Sequence, residues 1–245
     1  DNKNFKSLFL FSLFAAICTC ARINGIFLVL SFLLFYTLSI ISNNIYKNFL
    51  YIVGFTLSYL FLTIILWPAL WSDPINNIIS AFKEFSNFPL HPKMLYGGEY
   101  IDSHNLPASY IFTWIFITTP ILYILLFILG YFLIFKRMFL RFLNIENNKN
   151  YNDLWRSVKE QKDIFMLFNI TIIIIYLVSF TTPLYNGWRH IYFLNIFIIY
   201  ISIFGFYVID IYFKNKFKKN YHYHVCILFL LFVTYKMIIY HPFQN

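Results

Sequence analysis

Long apolar runs, separated by short loops that carry Lys and Arg, make up most of this chain. A helix needs about 20 mostly apolar residues to cross a bilayer, with a working range of about 17–25. On that measure seven segments qualify, at roughly 5–21, 24–42, 49–68, 110–135, 164–182, 191–213 and 225–240. The first and last are short, and the first is equally readable as a half-span or an interfacial hairpin with the second. The pattern predicts an all-α fold, a polytopic transmembrane helical bundle forming a single membrane domain over 1–245.

Between the third and fourth spans, residues 69–109 follow a different pattern. Ser72-Asp73-Pro74 is a helix start, with a capping side chain and then Pro at the first helical position. Ile75, Ile78, Ile79, Phe82 and Phe85 recur at helical spacing, with Asn76, Asn77, Lys83 and Glu84 opposite. This predicts an amphipathic helix lying on the membrane surface, anchored by Trp67 and Trp71. Beyond it Pro89, Pro92, Gly97, Gly98 and Pro107 interrupt regular structure. The other polar stretch, 136–163, mixes Lys and Arg with Glu146, Asp153, Glu160 and Asp163 and reads as a solvated linker with one short helix, contact with anionic headgroups being the alternative.

Composition turns this pattern into an exclusion. The 245 residues are 60% hydrophobic, 23% aromatic and 12% charged, against about 25% charged in an ordinary soluble domain. Mean hydropathy is +0.66. A soluble enzyme of this size would lack the polar surface to cover itself. The net charge of +9 does not point to nucleic acid, because the basic residues sit in loops as the positive-inside rule requires. With the N-terminus inside, fourteen of the nineteen basic residues fall on the cytoplasmic side, from Lys3 through the 136–163 linker to Lys219. Only Arg22, Lys83, Lys93 and Arg189 fall in the opposite loops, and Lys236 lies within the last span. This orientation places 69–109, the turn 183–190 and His241 on the extracytoplasmic side of a multi-pass protein. Cys18, Cys20 and Cys226 lie in or beside spans and offer no disulfide framework.

Few residues are left to carry chemistry. Asp73 is accounted for as a helix cap. Glu99 and Asp102 stand in a polar, Gly-rich stretch just outside a span, open to a site role or to plain solvation. In Thr181-Thr-Pro-Leu-Tyr-Asn-Gly-Trp-Arg-His190 a tight turn between two spans presents Tyr185, Trp188, Arg189 and His190. An arginine fork suits phosphate oxygens, so Arg189 with His190 can hold a lipid-linked phosphate; snorkelling beside an aromatic anchor accounts for the same residues. His222 and His224 lie on opposite sides of a helix without a third ligand, so no metal site is read there. Asp210 and Lys214 have the spacing of a helical ion pair. No cofactor motif appears. The chain starts without Met or a signal-peptide layout and stops just after an apolar run, so we read it as a piece of a longer protein.

Several strings taken together resemble a known group. Leu66-Trp-Pro-Ala-Leu-Trp-Ser-Asp-Pro74, Tyr96-Gly-Gly-Glu-Tyr100, Leu106-Pro-Ala-Ser-Tyr110 with Ile117-Thr-Thr-Pro120, Tyr185-Asn-Gly-Trp-Arg-His-Ile-Tyr-Phe193 and Tyr240-His-Pro-Phe-Gln-Asn245 are similar, in order, to motifs of GT-C class membrane glycosyltransferases. These are enzymes of glycosyltransferase family 39, related to dolichyl-phosphate-mannose protein mannosyltransferases. The chain departs at Ala108-Ser109, where relatives tend to carry Trp. The resemblance implies inverting transfer of a sugar from a polyprenyl-phosphate donor to an extracytoplasmic protein, lipid or glycan acceptor, within membrane lipid. It implies substrate-binding roles for Arg189, His190, Glu99, Tyr96 and His241. It also implies a catalytic carboxylate in a loop preceding this region, so no catalytic residue is assigned here. A non-catalytic membrane subunit or a transporter is the alternative, although a transporter would usually carry charged residues in midspan.

Overall fold

The computed structural model describes residues 5–43, 49–86, 92–143, 155–179, 184, 187–217 and 221–240. Among these the chain is an all-α bundle, and the expected fold class holds. Its helices are α1 (Phe5–Ala21), α2 (Gly25–Asn43), α3 (Phe49–Leu66), α4 (Pro74–Ser86), α5 (Ser109–Thr118), α6 (Ile121–Leu143), α7 (Val158–Ser179), α8 (Leu194–Phe217) and α9 (Tyr221–Tyr240). The described parts of α3, α6, α7, α8 and α9 are each at least 18 residues long and apolar enough to cross a membrane. The apolar stretches of α1 and α2, Phe5–Ala21 and Gly25–Ile41, sit at the short end of the spanning range. Outward-facing apolar side chains such as Phe14, Leu57, Phe132, Ile203 and Leu231 are more than half exposed to the surroundings. Such a surface needs lipid rather than water around it, and the protein is a multi-pass membrane protein.

The fourth span differs from its expected form. Rather than one helix over 110–135, the chain breaks at Thr119, which is extended at φ −100° and ψ 133°. Pro120 causes this, since a residue before Pro is pushed out of the helical region. Helix α6 then runs on to Leu143 and α7 begins at Val158, so part of the 136–163 stretch is helical. The start of α7 is fixed by its own side chains. Ser157 Oγ accepts the Glu160 N–H at 3.3 Å, and the Glu160 carboxylate accepts the Arg156 N–H at 2.8 Å, close to a capping box.

Two groups of helices share the bundle. In one, α1 packs on α2 and α3 around Ala16, Val29, Phe55 and Tyr59. The other is built on α6, α7 and α8 around Ile134, Ile170, Ile173, Leu194 and Ile201. Helices α6 and α8 touch backbone to backbone: a Cβ at Gly130 would run into the Ile201 carbonyl oxygen, and one at Gly205 into that of Leu126. Small residues at such a crossing replace the hydrophobic driving force that lipid removes. Helix α2 joins the groups through α7, where the buried Ser31 hydroxyl donates to Asn169 Oδ1 at 2.7 Å.

In the 69–109 region α4 is amphipathic, as its spacing indicates. Asp73 caps it, with Oδ1 accepting the Asn76 N–H at 3.1 Å, and those bonds to Asn76 hold the Asp73 carboxyl below its ordinary range. Ile75 and Ile79 on its apolar stripe are exposed, consistent with a helix resting on lipid. The Gly-rich stretch forms a hairpin, which the sequence left as irregular loop. Strands β1 (Lys93–Tyr96) and β2 (Glu99–Asp102) pair antiparallel, and Gly97 and Gly98, at φ +64° and +91°, supply the tight turn.

Candidate functional site

The α1–α2 turn, the β1–β2 hairpin, the start of α5 and the turn before α8 meet at one end of the bundle, the arginine end. Tyr96 anchors the hairpin there, its hydroxyl 2.9 Å from Ser109 Oγ and 3.0 Å from Thr113 Oγ1. These bonds, Ser109 first, hold its phenol below the usual range. The Tyr96 ring packs on Tyr110 at 5.3 Å between centroids. The buried Tyr110 hydroxyl in turn accepts the Gly187 N–H at 3.1 Å. Gly187 takes φ +68° with Trp114 pressed against it, a place where a side chain would be strained and crowded.

That turn delivers Trp188 into the core and Arg189 and His190 to its outside, in a single turn of 3-10 helix over Arg189–Ile191. His190 is half-buried and is held by an arginine from far away in the sequence. Arg22 Nη1 donates to the His190 carbonyl oxygen at 2.5 Å and lies 3.4 Å from its Nδ1. Because guanidinium only donates, a neutral His190 ring can accept from Arg22 only through the Nδ1 lone pair. Burial first, then the charges of Arg22 and Arg189, push the His190 pKa down from its ordinary 6.5, so the ring is neutral at neutral pH.

Arg189 is exposed and makes no ion pair or hydrogen bond among the described residues. Arg22 has no carboxylate partner among the described residues either. Two carboxylates of this end are engaged elsewhere: Asp73 caps α4, and Asp102 Oδ1 accepts the His104 N–H at 2.9 Å in the turn after β2. Two guanidinium groups and a half-buried imidazole thus stand in adjoining turns, a donor set whose chemistry suits an anion.

Of the residues expected to bind substrate, Tyr96, Arg189 and His190 belong to this one assembly. Glu99 is exposed beside the Gly-Gly turn, in register with Tyr96, and no contact joins it to Arg189. His241 lies outside the described residues, as do Tyr185 and Asn186. Sequence reasoning missed Arg22, Tyr110 and Trp114. Charge counting had already set Arg22 apart as one of four loop cations facing away from the cytoplasm, but nothing local ties it to a turn 168 positions on.

The opposite, lysine-rich end is built differently. Arg137 Nη2 bonds Asp163 at 2.9 Å, Arg141 Nη2 bonds Glu160 at 2.5 Å, and Tyr200 donates to Asp163 at 2.9 Å. Asp210 takes Lys214 at 2.8 Å and the buried His222 at 2.8 Å. The Asp210–Lys214 spacing is thus an ion pair. His222 is the first-turn anchor of α9 on α8, not a residue of a loop.

No known protein family matches the chain, and no curated protein or solved structure matches it either.

Proposed function

We propose that the chain is the donor-binding part of a membrane glycosyltransferase that moves a sugar from a polyprenyl phosphate to an extracytoplasmic acceptor. In this reading the membrane is a bacterial inner membrane and the arginine end faces out of the cell. One observation carries it: Arg22 and Arg189, free of carboxylates, flank His190 at the end of a lipid-embedded bundle. A soluble anion would not require so apolar a frame, whereas a lipid-linked phosphate presents its charge at the depth where these turns lie. Further support comes from three of the strings that resemble family 39 enzymes. Tyr96–Tyr100, Leu106–Tyr110 and the turn at Gly187–His190 are distant in sequence, yet they pack on one another through Tyr96, Tyr110 and Gly187.

The chemistry asked of the arginines is electrostatic. An acceptor hydroxyl oxygen attacks the anomeric carbon of the sugar and gives up its proton to a base. The bond from that carbon to the phosphate oxygen breaks, and negative charge grows on the departing phosphate. Fixed donors aimed at the growing charge stabilise the transition state more than the ground state. Arg189, exposed and uncommitted, is the donor to the phosphate. Arg22 holds His190 and the turn in place and adds a second positive charge.

The test is transfer from defined polyprenyl-phosphate sugars by the full-length protein. Arg189→Ala lowers turnover about 100-fold or more, in line with loss of one transition-state donor, at unchanged expression. Arg189→Lys restores part of the rate, because it keeps the charge but loses the fork. Wild-type transfer by Arg189→Ala would overturn the assignment.

A further inference from the structure

A second feature of the bundle runs from beside the α1–α2 turn, at Cys18 and Gly25, toward the lysine-rich end. Between α1, α2 and the first turns of α7 runs an apolar groove of about 670 Å³, lined by Phe14, Leu28, Phe32 and Phe165 among others. That volume falls within the roughly 300–1,000 Å³ of sites that hold small ligands. The lining extends along α2 from Gly25 to Tyr36, a rise of roughly 16 Å at ~1.5 Å per residue. This is about half of a hydrocarbon core of ~30 Å, a length that matches one extended acyl chain.

The groove's polar lining includes Gln161, Lys162, Tyr36 and Tyr200, three of them around the start of α7 at the lysine-rich end. Lys162 has no carboxylate partner among the described residues. Its acidic neighbours on α7 are already engaged: Glu160 by Arg141 and the Arg156 N–H, and Asp163 by Arg137 and Tyr200. A cation without a counter-ion therefore stands in the lining of a groove shaped for a hydrocarbon chain. We infer that the groove holds an acyl chain of an anionic glycerophospholipid from the leaflet at the lysine-rich end, with its phosphate on Lys162. Charge complementarity selects an anionic headgroup over a zwitterionic one. A sugar donor held at Arg189 has its phosphate at the other end of the bundle, so this lipid is a separate ligand, and the inference does not depend on the transferase reading.

Native mass spectrometry of the detergent-solubilised full chain, titrated with phosphatidylglycerol or phosphatidylcholine, tests it. The wild type retains phosphatidylglycerol in preference to phosphatidylcholine. Lys162→Glu lowers phosphatidylglycerol retention about fivefold or more, as expected for reversal of one charge near a lipid headgroup, and leaves phosphatidylcholine unchanged. Ala15→Trp, which puts bulk into the groove, lowers retention of both; should that variant not fold, the exposed Lys162 decides alone, its fold checked by size exclusion and thermal melting. Equal retention of the two lipids by the wild type overturns the proposal. So does undiminished phosphatidylglycerol binding by Lys162→Glu, or displacement of phosphatidylglycerol by equimolar polyprenyl phosphate.

Discussion

At the lysine-rich end Arg137, Arg141 and Lys214 each face a carboxylate, whereas at the other end Arg22 faces a backbone carbonyl and Arg189 faces none of the described side chains. Both ends lie where a bundle leaves lipid, so the surroundings alone do not explain the difference. What differs is the use of the acidic side chains. Asp163, Glu160 and Asp210 link α6 to α7, α7 to α8 and α8 to α9, and this end is therefore cross-braced. The arginine end is held by tyrosine hydroxyls, ring packing and a guanidinium-to-carbonyl bond, which fix its shape without neutralising its charge. At the lysine-rich end Lys162 alone of the groove's lining keeps a charge unpaired among the described residues, whereas at the arginine end both guanidinium groups do.

The contrast breaks most visibly at Asp163. Asp163→Ala strands Arg137 in a partly buried position and removes the acceptor of Tyr200; losing one member of such a pair costs about 3 kcal/mol or more. Thermal unfolding in detergent should show a clear drop for this variant and almost none for Arg189→Ala, whose exposed side chain makes no ion pair or hydrogen bond among the described residues. A comparable drop for Arg189→Ala would mean that both ends are structural. Asp210→Asn has the next largest effect, because it weakens the bonds to Lys214 and His222 together. It should be local, seen as faster amide exchange in the first turn of α9.

Arg22→Ala removes the donor to the His190 carbonyl in an exposed setting, so its cost to stability is about 1 kcal/mol at most. Under the proposed function its effect on transfer is larger, about tenfold, because the turn carrying Arg189 is no longer held. A loss of stability without a loss of rate would separate Arg22 from the donor site. The smallest effect is the titration of His190. Its pKa is pushed below 6.5 in the folded protein, so the unfolded chain binds a proton more readily, and stability falls as pH drops through 6.5. Melting temperatures between about pH 5 and 6.5 should slope downward with acid in the wild type and less so in His190→Gln. Above that window the two should run parallel.

Spans, the surface helix and the cap at Asp73 were legible in the sequence because each is written locally, in apolar run length, in 3.6-residue spacing and in a side chain one turn from its amide. The break at Thr119 was written there too, in Pro120, but a long apolar run conceals it. The hairpin was less legible. Its four-residue strands are too short to display alternation, and the proline and glycine content around them reads as loop. The role of His222 was not legible at all, because its partner, Asp210, lies across a turn on the preceding helix.

The sequence by itself determined that this chain lives in a bilayer, roughly where it crosses, and which few loop residues carry charge. These follow from the free energy of placing each side chain in lipid or water, which is set residue by residue. Only the tertiary structure decided which charges are neutralised. Pairing depends on distance between helices, and Arg22 meets His190 as Asp163 meets Arg137 only after the helices have packed. The Gly130–Gly205 crossing and the groove beneath Lys162 belong to the same class, since a close approach or a cavity exists only between elements and never along one of them.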